Sequence, residues 1–191
     1  VTMSEVKNLL VLPRLRVQNA NAISSPMTWG FPAMSAFVGL MHALERKLAE
    51  ASLPVSLGRV GVICHDFEAQ ATEGGYIRGF HLTRNPVDKT GGTAAIVEEG
   101  RIHLDITLIF SIDTGAVESE HENIAKHIGE LVAGMRIAGG SVIPNRAVPT
   151  HKQRPHWVTF DDDEEERMTT SLSTFKHCNS NIQTPVYWMH G

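Results

Sequence analysis

At 191 residues, 42% hydrophobic and 20% charged, the chain is long enough to bury one proper core with an extension. A net charge of −4 and an isoelectric point near 6.2 exclude a generally basic nucleic-acid binder. Residues 1–101 carry 10 Lys+Arg against 9 Asp+Glu, so any nucleic-acid role there rests on a few placed arginines or on partner subunits. No apolar run is long enough to span a bilayer, and the N-terminus lacks a charged-then-apolar signal pattern. The expectation is a soluble, unsecreted, cytoplasmic protein without a membrane partner. Cys64 and Cys178 are isolated thiols with no CxxC spacing, which fits a reducing compartment.

Val6–Leu12 reads as a buried strand that stops at Pro13. A polar loop follows, with Arg14 and Arg16 at its mouth and Gln18, Asn19, Asn21, Ser24, Ser25 and Thr28 along it. An amide- and hydroxyl-rich loop of this length is costly to order, and a nucleic-acid backbone is one ligand that suits it. Pro32 then opens a helix over Ala33–Ala51, where a missing N–H costs little. Its stripe of Phe37, Leu40, Met41, Leu44 and Leu48 follows helical spacing, and Pro54 ends it.

Arg59–Phe67, rich in valine and isoleucine, reads as a second strand. Arg101–Phe110 alternates as a third, with Ile102, Leu104, Ile106, Leu108 and Phe110 on one face. Arg101, His103, Asp105 and Thr107 occupy the other face. The connection between them, Glu68 to Gly100, far exceeds a hairpin turn. Gly74-Gly75 and Gly91-Gly92 at its ends suggest one extended, projecting hairpin carrying Tyr76, Arg78, Phe80, Arg84, Asn85 and Lys89.

A second helix starts near Ser119, whose Ser-x-x-Glu122 pattern matches a capping box, and its apolar face is Ile124, Ile128, Leu131 and Val132. Met135–Ile143 makes a last strand, interrupted at Gly139-Gly140, where a bulge is the plain reading. The order β-α-β-β-α-β predicts an α+β, ferredoxin-like fold, also the layout of RNA-recognition domains. Residues 1–144 form that domain, and 145–191 a C-terminal extension. The six consecutive acids Asp161–Glu166 and the scattered prolines suggest that the extension is a solvated tail.

Ten histidines invite a metal or catalytic reading, yet His42, His65, His81 and His103 lie on separate elements without ligand spacing. His121 and His127 point to different faces of one helix. No phosphate-cradling loop, dinucleotide fingerprint or nucleophile elbow occurs, so no cofactor, metal or catalytic group is expected. The candidate RNA-binding set is Arg14, Arg16, Gln18, Asn19, Asn21, Ser24, Ser25, Trp29, Arg78, Arg84, Asn85 and Lys89. These groups suit phosphate and 2′-hydroxyl contacts, and Trp29 suits either stacking on a base or anchoring the loop.

Leu12-Pro-Arg-Leu15, Gln18-Asn-Ala-Asn-Ala-Ile-Ser-Ser-Pro26, Thr28-Trp-Gly-Phe-Pro32 and Gly39-Leu-Met-His-Ala-Leu44 resemble the "Cas-five" subunit of the type I-F CRISPR surveillance complex (Cascade, or Csy complex). Ile63-Cys-His65, Phe67-Glu-Ala-Gln70, Leu82-Thr-Arg-Asn-Pro86, Thr93–Arg101 and Met135-Arg-Ile-Ala-Gly-Gly-Ser141 continue the likeness in the same order. The resemblance runs through about residues 5–144. It implies a subunit with an RNA-recognition-like fold that grips the 5′ handle of the guide RNA (crRNA). It also implies the large subunit and the backbone subunit as partners, target DNA reached through the complex, and a thumb-like role for residues 68–100. Two other functions fit the same fold: a metal-independent endoribonuclease using His42 or His65, and an inhibitor that imitates the subunit.

Overall fold

The computed structural model of the chain describes residues 8–74, 77–84, 87, 89–93, 96–159 and 187–190. The main sheet is built on three long strands: β1 (Asn8–Asn21), β4 (Val55–Ala69) and β9 (Arg101–Thr114). β9 lies in the centre, antiparallel to β1 on one side and to β4 on the other. The far edge of β1 is covered in two stretches. β11 (Gly140–Ile143) pairs with Arg16–Gln18, and β12 (His156–Thr159) pairs with Asn8–Val11. β10 (Arg136–Ile137) flanks β11, and the backbone of β13 (Tyr187–His190) pairs with Arg59–Val62 on the outer edge of β4.

Two helices cover one face of this sheet. α1 (Met34–Glu50) buries Phe37, Leu40, Met41, Leu44 and Leu48, the stripe that helical spacing predicts. It ends before Pro54. Ser52, with φ of 56°, donates to the Ala49 carbonyl and Leu53 donates to that of Leu48, closing the last turn in a Schellman arrangement. α2 (Glu118–Ala133) buries His121, Ile124, Ala125, Ile128 and Val132. The capping box does not form: the helix begins one residue before Ser119, and Val117 at the cap supplies no side-chain bond. Glu118 and Glu120 in the first turn instead meet the positive end of the helix dipole. The helices and the sheet enclose one large apolar cluster that includes Leu10, Leu12, Val17, Val60, Val62, Leu108 and Phe110. A small second cluster, Leu9, Val11, Ile63 and Ile109, lies on the opposite face, where Asp105, Thr107 and Ser111 of β9 are buried too.

Three expectations are corrected by the structure. First, β1 does not stop at Pro13 but runs on to Asn21, so Arg14, Arg16, Gln18 and Asn19 are strand residues. The strand survives its proline because Pro13 and Arg14 stand together opposite Thr107 in a bulge, where no ladder N–H is required of proline. Second, Ala138 and Gly139, both with positive φ, form a two-residue hairpin turn between β10 and β11. Gly139-Gly140 is therefore a hairpin, not a bulge in one strand. Third, the insertion makes two ribbons rather than one hairpin. β5 (Ala71–Gly74) pairs with β6 (Ile77–Phe80), and β7 (Leu82–Arg84) pairs with β8 (Ile96–Glu98).

The segment after residue 144 contributes to the main sheet through β12. Trp157 donates its indole N–H to Asn8 Oδ1 at 3.0 Å and stacks on His121 with ring centroids 4.3 Å apart. The acidic run Asp161–Glu166 lies outside the described residues. Among the described residues no helix is long and apolar enough to cross a membrane.

Gly140 packs against the backbone of β1: a Cβ there would meet Ala20 N and Gln18 O, each at 2.7 Å. Gly140→Ala is expected to destabilise the fold by about 1–3 kcal/mol, the usual cost of overpacking. Gly39, on α1 with nothing near its Cβ position, is the control. Gly39→Ala is expected to stabilise by about 0.5–1 kcal/mol through helix propensity. Urea unfolding of both variants measures the contrast.

Candidate nucleic-acid interface

Polar residues of the sequence collect on the sheet face opposite the helices, and two bulges in β1 decide which ones. Leu10 and Leu12 point into the helix-covered core. Unbroken alternation would send Arg14 and Arg16 to that same side. The bulge at Pro13–Arg14 shifts the register, so that Leu12 pairs with Leu108 but Leu15 pairs with Ile106. Leu15 and Val17 then take the core side, while Arg16 faces out opposite Asp105. A second irregularity between Val17 and Ala20 shifts the pattern back, returning Ala20 to the core. Arg14 and Asn19 adopt positive φ of 57° and 58° at the two bulges.

Arg14 is tied inward at three points. Its N–H donates to Thr107 Oγ1 at 3.2 Å, and its carbonyl accepts from Asn145 Nδ2 at 3.0 Å. Its guanidinium meets Asp105 Oδ2 at 2.9 Å, leaving the Arg14 side chain 29% exposed and that of Asp105 9% exposed. Asn145 Nδ2 also donates to Asp105 Oδ2 at 3.1 Å. Asp105 Oδ1 and Arg14 Nε are buried with no hydrogen-bond partner among the described residues. The structure thus engages the Arg14 guanidinium with a buried carboxylate. Alternation along one strand does not reveal that group.

Next to this pair, His65 is 5% exposed and shares a 2.8 Å hydrogen bond with Thr107 Oγ1. Burial, with the Arg14 charge beside it, pushes the imidazole down to about 4, so His65 is neutral at pH 7. Burial holds the Asp105 carboxyl above its ordinary range. The Asn145 hydrogen bond and Arg14 oppose that rise, Asp66 adds to it, and Arg16 again opposes it. Burial and the charges of Asp66 and Asp105 push the neighbouring Cys64 thiol up to about 11, leaving it protonated.

The remaining candidates divide into groups that shape the surface and groups left open. Asn21 closes an Asx turn onto the Ile23 backbone, and Ser24 Oγ donates to the Thr28 carbonyl at 3.3 Å. Both stabilise the small hairpin of β2 (Ile23–Ser25) and β3 (Thr28–Trp29). The Asn19 N–H donates to His103 Nδ1 at 3.1 Å, and its carbonyl accepts from Arg101, whose guanidinium also grips Glu99. Gln18, Ser25 and Lys89 are exposed, and Arg16 is half-buried. Among the described residues none of these four side chains makes a hydrogen bond or ion pair. Arg78 and Arg84 lie on β6 and β7, and Asn85 lies outside the described residues.

Trp29 is 40% exposed and packs edge-on against Phe80 of the insertion, ring centroids 5.0 Å apart. Ile23 sits against Gly100, whose absent side chain leaves room for it. The hairpin after β1 and the base of the insertion thus pack against each other. Phe80 was visible in the sequence as an aromatic of the insertion. Its pairing with Trp29 was not, because the two are brought together only by the β4–β9 ladder.

His42 and His65, the alternative bases of the nuclease reading, lie in different surroundings. His42 sits on the exposed side of α1, 3.2 Å from Glu45 Oε2, whereas His65 lies buried on the opposite side of the sheet.

The chain matches the family described as CRISPR-associated protein (Cas_Csy2) over residues 10–179. It is similar to the CRISPR-associated protein Csy2 of Pseudomonas aeruginosa (strain UCBPP-PA14), with 47% identity over 147 residues. That alignment covers 75% of this chain and 45% of the relative, so the chain spans about half the length of the curated relative it matches.

The buried histidine gives a pH signature. Unfolded, His65 titrates near 6.5, and folded near 4, so the unfolded chain takes up its proton first on acidification. Stability from this group is complete above pH 6.5 and is lost as the pH falls toward 4. Asp105, with its carboxyl raised, works in the opposite sense and returns part of the loss at lower pH. Between pH 7 and pH 5 the parent protein is expected to lose about 2 kcal/mol more unfolding free energy than His65→Gln. Urea titrations of both at the two pH values measure the difference, and parallel losses would show that His65 titrates normally.

Proposed function

The chain belongs to the CRISPR-associated Csy2 family, and from that membership we propose that it is a non-catalytic RNA-binding subunit of a type I-F CRISPR surveillance complex. In this reading it is the "Cas-five" subunit and grips the 5′ handle of the guide RNA. It joins the large subunit to the backbone subunit, and reaches target DNA through the assembled complex.

The family match over the sheet core carries the proposal. A ferredoxin-like, RNA-recognition-like domain is part of this reading, supported by the strand order β11-β1-β9-β4, antiparallel throughout, with α1 following β1 and α2 following β9. The unengaged groups support it as well. Arg16 and Gln18 stand on β1 without side-chain partners among the described residues, and the half-exposed Trp29, packed on Phe80, adds an aromatic face, so the cationic, amide and aromatic groups that suit a single-stranded backbone are present. Residues 68–100 act as the thumb, with Arg78, Arg84, Asn85 and Lys89 as phosphate donors.

The near-neutral balance of residues 1–101 sets the affinity. Alone, the chain binds RNA weakly and with steep salt dependence, and the partner subunits raise the affinity well beyond tenfold by making the contact partly intramolecular. Replacing residues 71–98 by an Asn-Gly turn is expected to leave the core folded, because β4 and β9 retain an ordinary hairpin connection. The assembled complex carrying this variant is expected to expose the 5′ end of its guide RNA to nuclease. Full protection of that end would remove the insertion from the proposal. Failure of the parent chain to co-purify with guide RNA and the other subunits would overturn it.

A further inference from the structure

The two arginines at the start of the proposed interface stand two residues apart and are built into the molecule in opposite ways. Arg14 is fastened by its N–H, its carbonyl and its guanidinium, to Thr107, Asn145 and Asp105. Arg16 has no side-chain partner among the described residues and stands directly across the ladder from Asp105. The bulge between Leu12 and Leu15 links the two. Without it Arg16 would point into the helix-covered core, and with it Arg16 stands, half-buried, on the opposite face.

A bulge is held only if its released backbone groups are bonded elsewhere. Here Thr107 Oγ1 and Asn145 Nδ2 take the Arg14 N–H and carbonyl, and Asn145 comes from 131 residues further along the chain. Gln153 fastens the Asn145 segment in turn, donating to the carbonyls of Asn145 and Val148 at 2.8 Å and 2.5 Å. We propose that Arg14, Asp105 and Asn145 form an internal clasp that fixes this bulge, and that the clasp presents Arg16, not Arg14, to the RNA phosphates. Asn145 is then a positioning residue, acting on RNA through the register of β1. The assignment of Arg16 rests on the function proposed above, whereas the clasp itself does not.

The test uses the full chain, urea unfolding, and binding of labelled single-stranded oligouridylate across a salt series. Arg16→Ala is expected to keep the urea midpoint and to flatten the slope of log affinity against log salt by about 0.7, one phosphate contact on a single strand. Arg14→Met is expected to lower the midpoint while keeping that slope. The double variant Arg14→Met/Asp105→Leu is expected to recover much of the midpoint, because the stranded carboxylate is gone. Asn145→Ala removes no charge, yet is expected to lower both the midpoint and the slope, an effect that loss of stability alone would not produce in the folded protein.

An Arg14→Met variant with the parent midpoint and a flattened slope would make Arg14 the phosphate contact and overturn the proposal. Additive midpoint shifts at positions 14 and 105 would overturn the clasp. Should Arg14→Met not fold, Asn145→Ala and the double variant decide the same question. Absence of binding by the parent chain would overturn the proposed function and the role of Arg16, while the coupling between positions 14 and 105 still decides the clasp.

Discussion

The sorting of polar and apolar groups between the two faces of the sheet depends on a register constraint in β1. A strand has a side-chain period of two, so its hydrophobic and polar residues sort correctly only if their spacing keeps that parity. Between Leu12 and Leu15 the spacing is odd, and between Val17 and Ala20 it is odd again. The chain accommodates both by bulging, at Pro13–Arg14 and near Asn19. Five apolar residues, Leu10, Leu12, Leu15, Val17 and Ala20, thereby share one core, and Arg16 is left on the opposite side. Burying a Leu or Val side chain is worth about 1.5–3 kcal/mol. A positive φ on a non-glycine residue costs about 1–3 kcal/mol. The core therefore dictates the bulges, and the bulges dictate the polar surface.

The polar cluster around Asp105 is the counterpart of that constraint. A carboxylate almost wholly removed from water, 2.9 Å from a guanidinium and 3.1 Å from an amide, is costly to keep charged and costly to leave alone. Its two partners come from distant parts of the chain, Arg14 from β1 and Asn145 from the connection after β11, and Thr107 ties the Arg14 N–H to His65 of β4. Such a group specifies an arrangement more than it stabilises one, because it penalises registers in which Arg14 or Asn145 is elsewhere. The connection after β11 in this sense helps to shape the polar face of β1.

Much of this was legible in the sequence where one periodicity dominated. The buried stripe of α1 and the alternation of β9 follow from spacing alone, and they locate the core. Proline at position 13 misled, because proline ends most strands, and its tolerance at a bulge depends on Thr107 standing opposite. The Ser119 capping pattern misled because the cap falls two residues earlier, at Val117, and leaves the serine inside the helix. Among candidate site residues, the sequence marks chemistry but not engagement. Asn21 and Ser24 are consumed by a local turn, Arg14 by a carboxylate 91 positions away in the chain, and Arg16 by nothing among the described residues.

The central place of β9 has a consequence for how the protein is made. β1 and β4 do not pair with each other, and both take β9 as their partner. The bond from Arg14 to Thr107 spans 93 residues. Such non-local pairing gives a high contact order, which slows folding. During synthesis, the apolar stretches Leu9–Leu12 and Val60–Ile63 leave the ribosome with no strand to receive them until Arg101–Thr114 follows. The long insertion before β9 extends that interval, during which unpaired strand edges are open to aggregation. A chain arranged in this way gains from whatever occupies those edges first.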